Sequence, residues 1–136
     1  MDENQRRGQI RILVADDQVE ARGVIQSLLS SLGFINVYQA TNGPDAIDVA
    51  IKREAQLIIC DWNMPGASGL DVLMTLRKHP KHRNTAFLML TSEGYKENVR
   101  QAFKAGVTSY LIKPVTAKAL IAELDKLTAG IIVDEN

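Results

Sequence analysis

The sequence predicts an α/β fold in which five parallel strands form one doubly wound sheet with helices on both faces. Two observations lead to this prediction: short apolar runs alternate along the chain with longer stretches of helical period, and three of the runs are almost continuously apolar. Continuous apolar runs are typical of strands that are buried on both sides. Five strand–helix units in 136 residues favour a three-layer, flavodoxin-like sheet of order 2-1-3-4-5 with five helices.

The five predicted strands share a length of four to seven residues and a composition rich in Ile, Val, Leu and aromatic side chains. In chain order they are Ile10–Ala15, Phe34–Ala40, Leu57–Cys60, Ala86–Leu90 and Ser109–Ile112. Each is followed by a segment whose apolar residues recur with helical spacing, and these segments are predicted helices 1 to 5.

Start and stop signals bound the predicted helices. The signals are Gly33 after helix 1, Pro44 in the first turn of helix 2, the Ser68/Asp71 capping box of helix 3, Gly106 after helix 4 and Gly130 after helix 5. Helix 4 includes Val99–Phe103 and helix 5 includes Leu120–Leu127. We therefore expect one domain over residues 9–129, with short polar ends at residues 1–8 and 130–136.

Composition excludes several classes of function. Lys plus Arg and Asp plus Glu both number 16, so no basic excess favours binding along a nucleic-acid backbone. No apolar run approaches the roughly 20 residues that span a bilayer, so no membrane insertion is expected. The single cysteine, Cys60, is expected to be a buried thiol, and His79 and His82 are expected to be solvated. Together these features predict a soluble cytoplasmic protein.

Polar residues follow four of the predicted strands at their carboxyl ends. Asp16 and Asp17 follow strand 1, Asp61 follows strand 3, Thr91 follows strand 4 and Lys113 follows strand 5. In a doubly wound sheet these ends lie at one edge, where ligands bind. The positions of these five side chains after the strands therefore predict that they form one site.

Three carboxylates at one edge would repel each other unless a cation lies between them. Oxygen ligands with room for water suit magnesium, or manganese in its place, and no His/Cys cluster suggests zinc. Lys113 suits a phosphate oxygen, and Thr91 can donate a hydroxyl hydrogen bond to the same group. A carboxylate, a metal and a lysine together predict phosphoryl transfer. Alternatively, Asp16 and Asp17 simply cap predicted helix 1.

The pattern resembles the response-regulator receiver domain, the CheY-like family, over about residues 9–129. The resemblance rests on family order and spacing of Asp16, Asp17, Asp61, Thr91, Tyr110 and the pair Lys113-Pro114. The run Asp61-Trp62-Asn63-Met64-Pro65 resembles stand-alone chemotaxis receivers in particular. Two positions depart from the family: Val115 stands where Phe is common, and Ser68-Gly69 stands where Asp-Gly is common.

The resemblance implies a two-component response regulator that acts as a signalling phosphoacceptor rather than as an enzyme, and that assists its own phosphorylation and dephosphorylation. Asp61 would accept the phosphoryl group from a histidine kinase or phosphotransfer protein. Asp16, Asp17, Asp61 and the backbone carbonyl of Asn63 would bind the metal. Lys113 would pair with the phosphoryl group and Thr91 would move toward it.

Further expectations follow from the same resemblance. Tyr110 would turn inward with Thr91 and change the face made by predicted helix 4, strand 5 and helix 5, where a downstream protein binds, in chemotaxis or motility. Asn63 and Glu93 lie two residues beyond Asp61 and Thr91, and such residues accompany a short-lived phosphorylated state in the chemotaxis pattern.

Three alternatives differ in function. A magnesium-dependent phosphohydrolase places an Asp-x-Asp motif after strand 1, whereas this chain has Asp16-Asp17-Gln18. A flavin-binding electron carrier needs a Ser/Thr/Gly-rich phosphate loop there, and two aspartates have the wrong charge. A receiver that has lost phosphorylation would serve as a scaffold, which the intact acidic set argues against.

Overall fold

The computed structural model describes residues 1–92 and 96–133. Their strands are β1 (Ile12–Ala15), β2 (Val37–Ala40), β3 (Leu57–Asp61), β4 (Ala86–Thr91) and β5 (Ser109–Ile112). Their helices are α1 (Glu3–Gln9), α2 (Val19–Ser31), α3 (Gly43–Lys52), α4 (Gly69–Arg77), α5 (Lys96–Lys104) and α6 (Ala117–Ala129). No described helix has the length and apolar character that crossing a membrane requires.

All five strands are parallel and lie in the order β2-β1-β3-β4-β5. The predicted sheet and its strand order are therefore confirmed. The register aligns Ile12 with Leu57 and Ala15 with Cys60 on the two central strands. Every residue of β1 and β3 is buried, as expected for strands covered on both faces.

Alternate strand residues pack into two separate cores, because successive side chains of a strand point to opposite faces. Leu13 and Ile58 belong to the core beneath α3, α4 and α5. Ile12 and Ile59 belong to the core beneath α2 and α6. The sheet is thus the middle of three layers.

The predicted number of helices, five, is wrong, since the described residues form six. The additional helix is α1, which lies where the prediction placed a polar end. Asp2 and Gln5 form its capping box, and none of its residues is buried. Predicted helices 1 to 5 are therefore α2 to α6.

Two strands begin later than predicted, at Ile12 and Val37 rather than at Ile10 and Phe34. Ile10 donates its backbone N–H to Arg7 and closes α1, and Phe34 donates to Leu29 and closes α2. Both side chains are fully buried. Their apolar character therefore reflects core packing at helix ends rather than strand pairing.

Candidate functional site

The sheet places the predicted site residues at one edge. Asp61 and Thr91 are the last residues of β3 and β4, while Asp16 and Lys113 come directly after β1 and β5. The register aligns Asp61 with Leu90 and Thr91 with Ile112, so neighbouring strands end almost level. The backbone N–H of Lys113 donates to the carbonyl of Thr91 at 2.8 Å, which extends the pairing into the site.

Three carboxylates converge at this edge. Asp16, Asp17 and Asp61 each offer an oxygen, and these oxygens lie within 4.8 Å of one another. Asp16 and Asp61 are only 2% and 8% exposed, whereas Asp17 is exposed. Hard oxygen donors that combine buried and solvent-facing positions suit a divalent cation that retains water ligands, as magnesium does. The residues present therefore fit such an ion.

Lys113 supplies positive charge from the opposite side of the site. Its Nζ lies 2.9 Å from an Asp16 oxygen and 3.5 Å from an Asp61 oxygen. Burial alone would lower the pKa of Lys113, but the hydrogen bond to Asp16 and the charges of both aspartates outweigh it, so the pKa is raised. Lys113 is therefore positively charged at neutral pH.

Asp61 is a carboxylate that the fold makes costly to ionise. Burial raises its pKa most, the Asp16 charge raises it further, and the Lys113 charge opposes both. The net pKa is above the usual value for an aspartate. A cation bound nearby would therefore stabilise the ionised form of Asp61, which the end of the central strand β3 holds in place.

Asp16 is held by backbone contacts as well as by Lys113. One of its carboxylate oxygens accepts the backbone N–H of Gln18 at 2.9 Å, and its carbonyl accepts from Arg22 at 2.8 Å. The N-cap of α2 is Gln18, with no side-chain cap hydrogen bond. Neither Asp16 nor Asp17 is therefore the N-cap residue of α2.

The remaining predicted residues differ in what the structure shows of them. Thr91 is fully buried. Asn63 and Asp17 line the same open recess of about 300 Å³, as expected if both face one ligand. Tyr110 is half-buried, and its ring meets the Trp62 ring edge-on with centroids 6.4 Å apart. Glu93 lies outside the described residues.

Sequence reasoning missed the role of Gly69, although it noted the unusual Ser68-Gly69 pair. The backbone N–H of Gly69 donates to the Trp62 carbonyl at 2.7 Å. A Cβ at position 69 would clash with the backbone oxygen of Asp61 and would lie 2.8 Å from the Met89 sulfur. Only glycine allows α4 to begin this close to the end of β3.

The cysteine lies next to the site, since the Cys60 thiol contacts the backbone carbonyl of Asp61 at 3.2 Å, and the two histidines lie in the loop after α4. Cys60 is buried as predicted, and burial raises the pKa of its thiol. The prediction that His82 is solvated is wrong, because its side chain packs in the interior with only 2% of its surface exposed. Its Nδ1 lies 2.7 Å from the Thr85 hydroxyl, a partner that the basic composition of the loop did not reveal.

Comparison with known proteins gives a consistent result. The model of the response regulator receiver domain matches residues 12–125. Chemotaxis protein CheY-3 of Vibrio cholerae serotype O1 is 36% identical over 118 residues, which cover 87% of this chain and 91% of that protein. Chemotaxis protein CheY of Pseudomonas aeruginosa is 34% identical, covering 87% and 95%.

Solved structures agree with the sequence relatives. The chemotaxis response regulator CheY4 of Vibrio cholerae superposes with a TM-score of 0.81 at 28% identity, covering 88% of this chain and 98% of that one. A response regulator described as putative, from Chloroflexus aurantiacus, gives 0.82 at 28% identity with the same coverage.

Proposed function

This chain belongs to the response regulator receiver family, and from that premise we propose that Asp61 is the residue that a histidine kinase or phosphotransfer protein phosphorylates. The chain is a two-component response regulator. The observation that supports Asp61 in particular is its setting: a buried carboxylate with two further aspartates within 4.8 Å and the Lys113 amine 3.5 Å away.

In the proposed reaction, an Asp61 carboxylate oxygen attacks the phosphorus of a phosphohistidine. The new O–P bond forms as the P–N bond breaks, and the imidazole leaves with the bonding electron pair and takes up a proton. In dephosphorylation, water attacks the phosphorus of the aspartyl phosphate and the O–P bond breaks. The products are the free Asp61 carboxylate and inorganic phosphate. The chain thus assists its own phosphorylation and dephosphorylation by positioning the reacting atoms.

Magnesium, or manganese, would be held by Asp16, Asp17, Asp61 and the backbone carbonyl of Asn63. When bound, such an ion supplies positive charge against the phosphoryl oxygens and the crowded carboxylates. Asp16 already has its Lys113 partner at 2.9 Å, so the exposed Asp17 is the carboxylate with the greatest freedom to take a metal. Asn63 lines the recess beside it.

Lys113 and Thr91 would contact the phosphoryl group. Lys113 would exchange part of its contact with Asp16 for a phosphoryl oxygen, which is within reach because the amine lies between the two aspartates. The Thr91 hydroxyl would donate a hydrogen bond to another oxygen. Moving a two-state element from mostly off to mostly on needs about 5 kcal/mol of differential stabilisation, which charge-assisted contacts of this kind can supply.

Tyr110 would carry the change to the face formed by α5, β5 and α6, where a downstream protein binds. The supporting contact is the edge-on pair of Tyr110 with Trp62, the residue next to Asp61. Ile112 on the same strand is 51% exposed, so this face already presents apolar surface to a partner. The names of the relatives support chemotaxis or motility as the pathway, and the chain would act in the cytoplasm.

The phosphorylated state is expected to be short-lived, as the Asn63 and Glu93 pattern implies. Purified chain would be phosphorylated with acetyl phosphate in magnesium buffer, the donor removed, and the phosphorylated fraction followed by intact mass. Loss within minutes fits the proposal, and an aspartyl phosphate that persists for many hours contradicts it.

Trp62 fluorescence provides the decisive experiment, because this is the only tryptophan in the chain. Magnesium is added first and acetyl phosphate second; each step should change the fluorescence in a saturable way. In Asp61→Asn the second change and the mass increase of one phosphoryl group should both disappear. Asp48→Asn, an exposed aspartate on α3, is the matched control and should behave like the unaltered chain.

Two results would favour the alternatives. Sustained release of phosphate from many phosphate esters would identify a phosphohydrolase. A chain that binds magnesium but gains no phosphoryl group from acetyl phosphate or from a phosphohistidine donor would be a scaffold, and the assignment of Asp61 would then be wrong.

A further inference from the structure

A second surface lies on the opposite side of α5 from the α5–β5–α6 face. It is a groove between α4 and α5, which we call the α4–α5 groove. Its volume is about 520 Å³, and it is lined by Leu70, Met74, Arg77, Lys78, Gln101, Lys104 and Ala105. A second recess continues past Arg77 and Lys104 to Arg83 and Phe103. We propose that this groove binds an acidic amphipathic helix of a partner protein.

The groove and its continuation share an apolar floor that the fold leaves uncovered. In the groove, Met74 is 45% exposed, and Leu70 and Ala105 are half-buried. Phe103, which lines the continuation, is 52% exposed. Leu70, Met74 and Lys78 are spaced four residues apart along α4, so they form one stripe about 12 Å long. A stripe of that length between two helices matches about two turns of a third helix.

The rim of the groove is positively charged. Lys78, Arg83 and Lys104 are exposed, and none of the three forms an ion pair with any described residue. The residues that line the groove and its continuation include no aspartate or glutamate. In a chain with equal numbers of acidic and basic residues, this separation of charge calls for a negatively charged partner.

Arg77 fixes the shape of the groove as well as adding to its positive charge. Its Nε and one terminal nitrogen donate to the Gly106 carbonyl, at 3.0 and 2.8 Å, and the other donates to the His82 carbonyl at 2.8 Å. These bonds join the end of α4 to the loop after α5. The two walls are therefore held at a constant distance before any partner binds, which lowers the entropic cost of binding.

The apolar floor favours a protein helix over a nucleic acid. A phosphate backbone would pair with Lys78 and Lys104 but would leave Met74 and Phe103 in water. An amphipathic helix covers the thioether and the phenyl ring with leucine-type side chains and presents carboxylates to the lysines on either side. Such a helix therefore contacts both the apolar floor and the positively charged rim.

The test is a selection of 16-residue random peptides displayed on phage against the whole, unphosphorylated chain. Enriched sequences should carry Asp or Glu beside apolar residues spaced three or four apart. Synthetic versions should lose about fivefold or more of their affinity for Lys78→Gln/Lys104→Gln. Lys52→Gln/Lys81→Gln removes the same charge from exposed sites elsewhere and should leave the affinity within twofold.

A second pair of variants tests the apolar floor. Met74→Ala/Phe103→Ala should weaken the same peptides about tenfold, while Ile35→Ala/Ile132→Ala, which alters large apolar side chains that are even more exposed, should not. Circular dichroism and thermal unfolding verify that each variant is folded. Peptides that bind all variants equally, or a single-stranded DNA oligonucleotide bound through the lysines alone, would overturn the proposal. Binding should be unchanged in Asp61→Asn, so this test does not depend on the proposed role of Asp61.

Discussion

Asp61 is a residue whose proposed chemistry conflicts with the stability of the fold. Burial and the Asp16 charge raise its pKa, so the ionised form is disfavoured in the folded chain. In EDTA buffer at pH 7.5, Asp61→Asn should raise the free energy of unfolding in urea by about 1 kcal/mol. Asp48→Asn, whose carboxylate is exposed beside Lys52, should change it little. A less stable Asp61→Asn would mean that the Lys113 contact outweighs the burial of the charge.

His82 should make stability depend on pH. Burial, with the His79 charge, lowers its pKa below 6.5, against a smaller opposing contribution from a hydrogen bond with the Ala50 backbone. Since the fold favours the neutral ring, its contribution is fully present above pH 6.5 and is lost as the pH falls through that value toward the lowered pKa.

The check is urea unfolding between pH 7.5 and 5.5, where few carboxylates titrate. The free energy of unfolding should fall by up to about 1 kcal/mol over this range. His82→Asn, which can still accept from Thr85, should show a smaller slope even if it is less stable throughout. His79→Asn is the control, and an unchanged slope in His82→Asn would refute the assignment.

The main residues of the candidate site were predictable from the sequence, because they lie at the ends of strands that the sequence also predicts. Asp16, Asp61, Thr91 and Lys113 each come at the carboxyl end of an apolar run, and the parallel sheet brings these ends together. His82 was not predictable, since its burial depends on how the loop after α4 folds back over α3. Gly69 was equally hidden, because a close approach between two backbones has no local signature.

At the scale of elements, strong periodicity predicted α2 to α6, whereas α1 escaped because it has no apolar face. Its capping box, Asp2 with Gln5, is a local signal that the polar composition concealed. What fixes α1 is tertiary: Arg7 donates to the Leu32 carbonyl at 2.9 Å and covers the Phe34 ring. Arg6 donates to the carbonyls of Thr128, at 2.5 Å, and Ile131, at 2.9 Å.

Arg6 therefore binds the C-terminal end of α6 and Arg7 that of α2, where unpaired carbonyls and the helix dipole favour positive charge. Arg6→Met keeps the aliphatic stem but removes these bonds, and it should lower the free energy of unfolding by about 1–2 kcal/mol. Arg100→Met removes an exposed arginine with a single 3.7 Å ion pair and should cost little. If both variants unfold at the same urea concentration, α1 does not hold α6 in place.

At the scale of the molecule, the sheet order was predictable because five buried parallel strands with short connections leave few topologies. Within that sheet, the central strands β1 and β3 hold both the apolar cores and the aspartates that follow or end them. Charge repulsion at the site therefore acts on the same strands that global unfolding must separate. Relief of that repulsion should stabilise the chain as a whole, rather than one loop.

Magnesium should accordingly raise the melting temperature of the entire chain. A ligand that binds only the folded state, at a hundred times its Kd, adds about 2.7 kcal/mol, which corresponds to a rise of several degrees for a domain of this size. Differential scanning calorimetry with and without magnesium measures the change in melting temperature, with sodium chloride at matched ionic strength as reference.

The Asp17→Asn variant should lose most of the increase, because Asp17 is the exposed member of the cluster. Glu20→Gln alters an exposed acid three residues away and outside the cluster, and this variant should keep the rise in melting temperature. Equal increases in both variants would show that the cation acts by general screening and that the three aspartates do not form its site.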